Sequence, residues 1–144
     1  MEELKRCVLI AKSEMCSHSI NPGEYRLGMM LEVPSAFFNL SDMLDYIDFI
    51  SIGTNDLTQY IFAYDREESM QSDILSRAKE TLSTIIASVI RIAGPDKNVT
   101  VCGEMAADLK VIHSLLRAGI RSLSASPTSI GKISLAIKKI DLSL

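Results

Sequence analysis

The sequence predicts an α/β domain assembled from parallel strand–helix units. Three observations carry that expectation. Short apolar runs of strand length alternate with segments of helical spacing along the chain. Gly, Pro or small polar residues close the runs. The first run, Leu27 to Val33, is so continuously apolar that it suits a strand buried on both faces and not a half-exposed hairpin strand. At 144 residues the chain is one domain's worth, so residues 1–144 are read as a single unit.

Taken in order, "MEELKRCVLIAKSEM" has helical spacing, and Asn21, Pro22 and Gly23 end it before the strand "LGMMLEV". "SAFFNLSDMLDYI" returns to helical spacing. The strand "FISIG" (Phe49 to Gly53) follows, then a short helix near "LTQYIFA" and a long one within "SDILSRAKETLSTIIASVIRIAG". Gly94 and Pro95 stop that helix as C-cap and breaker. "NVTVCG" reads as the third strand, "DLKVIHSLLRAG" as a helix, "SLSAS" as the fourth strand and "SIGKISLAIKKI" as the last helix. One helix followed by four strand–helix units with right-handed crossovers fits two architectures, an open doubly wound sheet or part of a (βα)8 barrel.

Composition narrows the function. With 23% charged residues and a formal charge of −3, there is no basic stripe for a nucleic-acid backbone. No run is long or apolar enough for membrane insertion, no leader is evident, and Cys7, Cys16 and Cys102 are an odd number without CxxC spacing. A reduced, cytoplasmic protein is expected, with Cys7 and Cys16 as small buried hydrophobes. His18 and His113 have no metal-ligating partner at usable spacing and are expected to serve surface or packing roles.

Both candidate architectures gather chemistry at the carboxyl ends of the strands. There the sequence places Glu32, then Asn55 and Asp56, then Cys102 and Glu104, then Ser124, Ser126 and Thr128. Glu32 and Asp56 are two hard oxygen ligands at neighbouring strand ends, the sparse donor set with which magnesium is held beside a phosphate. The plain alternative for each acid is a helix cap or a rim salt bridge. Asn55 and Arg66 offer an amide and a planar cation to phosphate oxygens, against a solvated loop charge as the default for Arg66. Cys102 is a proton donor or nucleophile at the rim, or else an inert buried thiol.

The stretches "GMMLEVPSA", "DFISIGTNDLTQYIFAYDR", "VCGEMAAD" and "SLSASPTSIGKI", in this order, closely resemble the phosphoenolpyruvate-binding C-terminal domain of enzyme I of the bacterial sugar phosphotransferase system. Pyruvate phosphate dikinase and phosphoenolpyruvate synthase share the Glu, Asn-Asp and Cys-Gly-Glu elements. The resemblance implies the second half of a (βα)8 TIM-type barrel, four parallel strand–helix units preceded by a helix. It implies a phosphoenolpyruvate-protein phosphotransferase that binds phosphoenolpyruvate with Mg2+ or Mn2+, passes the phosphoryl group to a histidine and releases pyruvate. By that resemblance Glu32 and Asp56 match the metal ligands, Asn55 and Arg66 the groups that hold phosphoryl oxygens, and Cys102 the residue that handles the proton at the methylene carbon. Glu104 is placed to support Cys102.

The implied partners are the N-terminal half of the barrel, the phosphohistidine domain, the histidine-containing phosphocarrier protein and a second copy of the chain. Departures from the family pattern are the lack of the barrel's first half with its further arginines, Glu67-Glu68 in place of the usual Gly-Asn, and no His-Pro within residues 69–77. A dikinase or synthase remnant and a non-catalytic interaction module are the alternative readings, and the isolated chain is expected to be inactive.

Overall fold

The structure is a computed structural model and describes residues 2–21, 23–64 and 72–141. Helix α1 (Glu2–Ser17) precedes strand β1 (Gly28–Leu31), after which come the short helices α2 (Pro34–Phe38) and α3 (Leu40–Met43) and a 3-10 turn at Leu44–Tyr46. Strand β2 (Phe49–Gly53) runs straight into α4 (Thr54–Phe62), and the long helix α5 (Ser72–Ala93) leads to β3 (Asn98–Cys102). A second 3-10 turn (Glu104–Ala107), α6 (Leu109–Arg117), β4 (Ser122–Ser124) and α7 (Pro127–Ile137) follow.

The four strands form one parallel sheet in the order β1-β2-β3-β4. A doubly wound sheet reverses its order at a switch point. These four strands show no such reversal, an order consistent with a segment of a barrel.

One face of the sheet is apolar and covered. Leu31, Ile52, Val101 and Leu123 stand in register across the four strands. With Ile50 and Val99 they pack against Ala36, Leu40, Leu57, Leu82, Ile86, Val89, Met105 and Leu115 from the helical layer and the loop after β3. The long helix is held by a stripe at positions 82, 86, 89 and 93, the spacing that puts side chains on one helical face. Each fully buried Leu or Ile there contributes about 2 kcal/mol of transfer free energy.

The opposite face is different. Met30, Ser51, Thr100 and Ser122 form a register row on it, with Cys102 and Ser124 one row nearer the carboxyl ends, and none of these side chains is buried. The expectation that β1 is buried on both faces is thereby corrected: Met30 is 49% exposed while Leu31 is fully buried.

Two further differences have local causes. The predicted helix over 35–47 is broken at Asn39, whose φ of −101° and ψ of 11° leave the helical well. Its side-chain amide donates to the Ser35 carbonyl at 2.8 Å, an acceptor that its own backbone N–H also uses. Cys7 and Cys16 are exposed and not buried. Helix α1 contains no buried residue. Only Leu4, Val8, Lys12 and Met15 on it are half-buried, so both thiols stand off that stripe.

Candidate active site at the carboxyl ends of the strands

The site grows from the point where β2 becomes α4. Gly53 is the last residue of the strand and the N-cap of the helix, with no side-chain cap bond. A Cβ there would lie 2.9 Å from Glu32 Cβ and 3.1 Å from Glu32 Oε2. The Glu32 side chain, just past β1, therefore leans over the start of the helix that carries Asn55 and Asp56, and only glycine leaves it room. Among the described residues neither the Glu32 nor the Asp56 carboxylate has a hydrogen-bond or ion-pair partner. Among the described residues, then, neither acid forms a salt bridge, and Asp56 stands in the first turn of α4.

The next two side chains of α4 reach across to β3. Thr54, 1% exposed and the one buried polar residue among those described, donates its hydroxyl to the Cys102 carbonyl at 2.7 Å. Asn55 Oδ1 accepts the backbone N–H of Glu104 at 3.0 Å. With its carbonyl so engaged, the Asn55 amide keeps its NH2 donors for another acceptor.

Gly103 lies between these bonds at φ 92°, and a Cβ on it would fall 2.6 Å from Thr54 Oγ1 and 2.8 Å from Asn55 Oδ1. Glycine is required there twice, by conformation and by space. Farther along, Lys79 of α5 pairs with Asp108 at 2.6 Å, and Asp108 accepts the Lys110 N–H to cap α6. The Lys79 hydrogen bond, followed by the Lys110 contacts, holds the Asp108 carboxyl below its ordinary value against the opposing effect of burial.

Cys102 is half-buried on the uncovered face of the sheet. Its Sγ donates to the Ile52 carbonyl at 3.1 Å, accepts from the Ser51 hydroxyl at 3.7 Å and lies 3.9 Å from Met30 Sδ. No histidine, lysine or arginine is among these contacts, and a thiol activated as a nucleophile needs such a neighbour.

The structure thus brings together Glu32, Asn55, Asp56 and Cys102 at the ends of three adjacent strands. Glu104 joins through its backbone, with its side chain exposed. Arg66 lies outside the described residues. Ser126 bonds Thr128 and Ser129, each at 3.0 Å, at the start of α7 and makes no bond to the other site residues. His18 and His113 are exposed. Among the described residues no three His, Cys, Asp or Glu side chains gather into a metal cage. No helix among them is long and apolar enough to cross a membrane. Thr54, directly after β2, and Ser51, within it, are further polar residues of this region that the sequence pattern did not single out. Their signal was a polar side chain inside an apolar strand run or directly at its end.

Comparison with known proteins places these residues in a family context. The family described as "PEP-utilising enzyme, PEP-binding domain" matches residues 1–142. The chain is 39% identical over 119 residues to the "Phosphoenolpyruvate-dependent phosphotransferase system" protein of Escherichia coli (strain K12), covering 81% of this chain and 16% of that protein. It is 35% identical over 127 residues to the "Phosphoenolpyruvate-protein phosphotransferase" of Buchnera aphidicola subsp. Schizaphis graminum, covering 88% of this chain and 22% of the relative. Identity to the "Phosphoenolpyruvate synthase" of Pyrococcus furiosus is 35% over 105 residues, 72% of this chain and 13% of the relative. The chain therefore spans less than a quarter of the length of each of these relatives.

Proposed function

We propose, for a chain that belongs to the PEP-binding domain family of PEP-utilising enzymes, that it supplies the metal-binding and proton-donating half of a phosphoenolpyruvate-protein phosphotransferase site. In this reading the four strands are the second half of a (βα)8 barrel. Glu32 and Asp56 hold Mg2+ or Mn2+, and Asn55 donates its free NH2 to the phosphoryl group of phosphoenolpyruvate, as Arg66 does with its guanidinium. The metal, when bound, neutralises charge on the phosphoryl oxygens.

Asn55 and Arg66 position that group for transfer to a histidine on another domain, and in phosphoryl transfer positioning is most of the work. The Cys102 thiol then protonates the methylene carbon of the leaving enolate, which gives pyruvate. A histidine-containing phosphocarrier protein, a second copy of the chain and a cytoplasmic location go with this reading. The single observation that carries it is the pair of carboxylates at adjacent strand ends, both without partners among the described residues, beside an amide whose acceptor is engaged and whose donors are not. Two carboxylates are few, but such sites draw their remaining ligands from substrate phosphate and water.

A synthase reading shares the same residues and is supported by the 35% identity to the Pyrococcus furiosus enzyme. A nucleotide-binding domain encoded alongside the chain would favour it. The test of the main reading is complementation. Mixing the chain with a polypeptide that supplies the first four units of the barrel and the phosphohistidine domain is expected to raise its melting temperature by mass action and to support pyruvate release. In that mixture Cys102→Ser is expected to slow pyruvate formation at least about 100-fold with little effect on phosphoenolpyruvate binding. Turnover by the lone chain as a stable monomer would refute the half-barrel assignment.

A further inference from the structure

Ser51 sits in the middle of β2, on the uncovered face of the sheet, in register with Thr100 of β3 and one row below Cys102. It is half-buried, and its hydroxyl donates to the Cys102 sulfur at 3.7 Å. The same sulfur carries its own proton toward the Ile52 carbonyl at 3.1 Å. One strand thus supplies both contacts, an acceptor for the thiol proton and a donor for the sulfur.

These two contacts have opposite consequences when the proton leaves. The Ile52 carbonyl has nothing to offer a thiolate. The Ser51 O–H does, and a hydrogen bond to a charged acceptor is roughly twice as strong as a neutral one. The remaining neighbour, Met30 Sδ at 3.9 Å, carries no proton.

We propose that Ser51 is a positioning residue for the proton step, holding the Cys102 sulfur by a hydroxyl hydrogen bond that strengthens as the thiol becomes a thiolate. The inference rests on the reading of Cys102 as the proton donor. In that step the S–H bond breaks and a C–H bond forms at the methylene carbon, using the electron pair of the enolate double bond. The enolate oxygen becomes the pyruvate ketone, and the sulfur retains the S–H electron pair as a thiolate. Ser51 donates to that thiolate until a proton from solvent restores the thiol.

The experiment uses the 144-residue chain with Cys7→Ser and Cys16→Ser. Both of those thiols are exposed on α1, so the replacements leave Cys102 as the sole thiol without touching the core. Alkylation by iodoacetamide is followed against pH in this parent, in Ser51→Ala and in Ser51→Thr. Ser51→Ala removes only the hydroxyl from a site that is not fully buried. It is expected to slow alkylation about threefold near about pH 8, because the lost hydrogen bond outweighs the gain in intrinsic nucleophilicity. At a pH high enough that ionisation no longer limits the rate, the two are expected to meet or reverse. Ser51→Thr, which keeps the hydroxyl, is expected to restore the parent profile.

Alkylation of Ser51→Ala as fast as the parent near about pH 8 would overturn the inference, as would an equal slowing at every pH, which reports access and not thiolate stability. No phosphoenolpyruvate enters this measurement. Its failure is therefore separable from failure of the proposed function, which would show as Cys102→Ser having no effect on pyruvate release.

Discussion

Apart from the Lys79–Asp108 pair, the two ends of the sheet treat the charges named here differently. At the amino ends of the strands, Lys97, Arg121 and Asp48 are tied to backbone. Lys97 Nζ donates to the Ile47 carbonyl at 2.6 Å, Arg121 Nη1 donates to the carbonyls of Leu116 and Ile120 at 2.7 and 2.8 Å, and the Asp48 carboxylate accepts the Leu27 N–H at 2.6 Å. At the carboxyl ends, Thr54 and Asn55 hold the turn after β3 and Asp108 caps α6. Glu32 and Asp56 have no such partner among the described residues. A charge that closes a backbone bond is explained by the fold, whereas an acid held in place by neighbours and bonded to none of them is available to a ligand.

Substitutions test this contrast, and the largest effect is expected at Gly103. Gly103→Ala puts a methyl 2.6 Å from Thr54 Oγ1 on a residue at φ 92°, a combined cost of about 3 kcal/mol by denaturant unfolding. Thr54→Val leaves the Cys102 carbonyl without its side-chain donor in a buried setting and is expected to cost about 2 kcal/mol, with Thr54→Ser recovering most of it. At the amino end, Lys97→Met removes a charged donor from the half-buried Ile47 contact, costs about 1 kcal/mol and leaves metal binding unchanged.

The smallest effect is a change in pH dependence. Asp108 has its carboxyl lowered from 3.8 by the Lys79 hydrogen bond, so its ionised form is favoured in the fold. That contribution is present above the unfolded value and is lost as pH falls through the lowered one. Asp108→Asn is therefore expected to lower the neutral plateau of the stability curve slightly and leave its acid end unchanged, which flattens the acid limb, as thermal melts across pH would show.

Much of the fold was legible because it is written in local pattern. The strand at Phe49–Gly53 and the helix at Ser72–Ala93 follow from an apolar run closed by glycine and from a 3.6-residue stripe. The break at Asn39 was not legible, since the apolar spacing continues through it and only the side-chain bond to Ser35 marks it. Nor was the 3-10 turn at Glu104–Ala107, which depends on Gly103 and on a bond from Asn55, 49 residues away. Cys7 and Cys16 were misjudged because burial tendency belongs to cysteine in general, while α1 has only one half-buried stripe.

At the site, Glu32, Asn55, Asp56 and Cys102 could be located by their position after strands. The roles of Thr54 and Ser51 could not, because they consist of contacts between strands β2 and β3. Arg66, outside the described residues, keeps only the support of sequence.

The most direct test of the contrast is Mn2+ binding, followed by water-proton relaxation, in the chain and in its Asp56→Asn and Glu32→Gln forms. If these acids are site charge, the parent binds one weak equivalent, each variant loses at least about tenfold in affinity, and neither melts more than about 2 °C below the parent, because no structural bond is removed. Unchanged Mn2+ binding in both variants, or a marked fall in melting temperature, would contradict the assignment and return both acids to the structural class represented by Lys97 and Asp48.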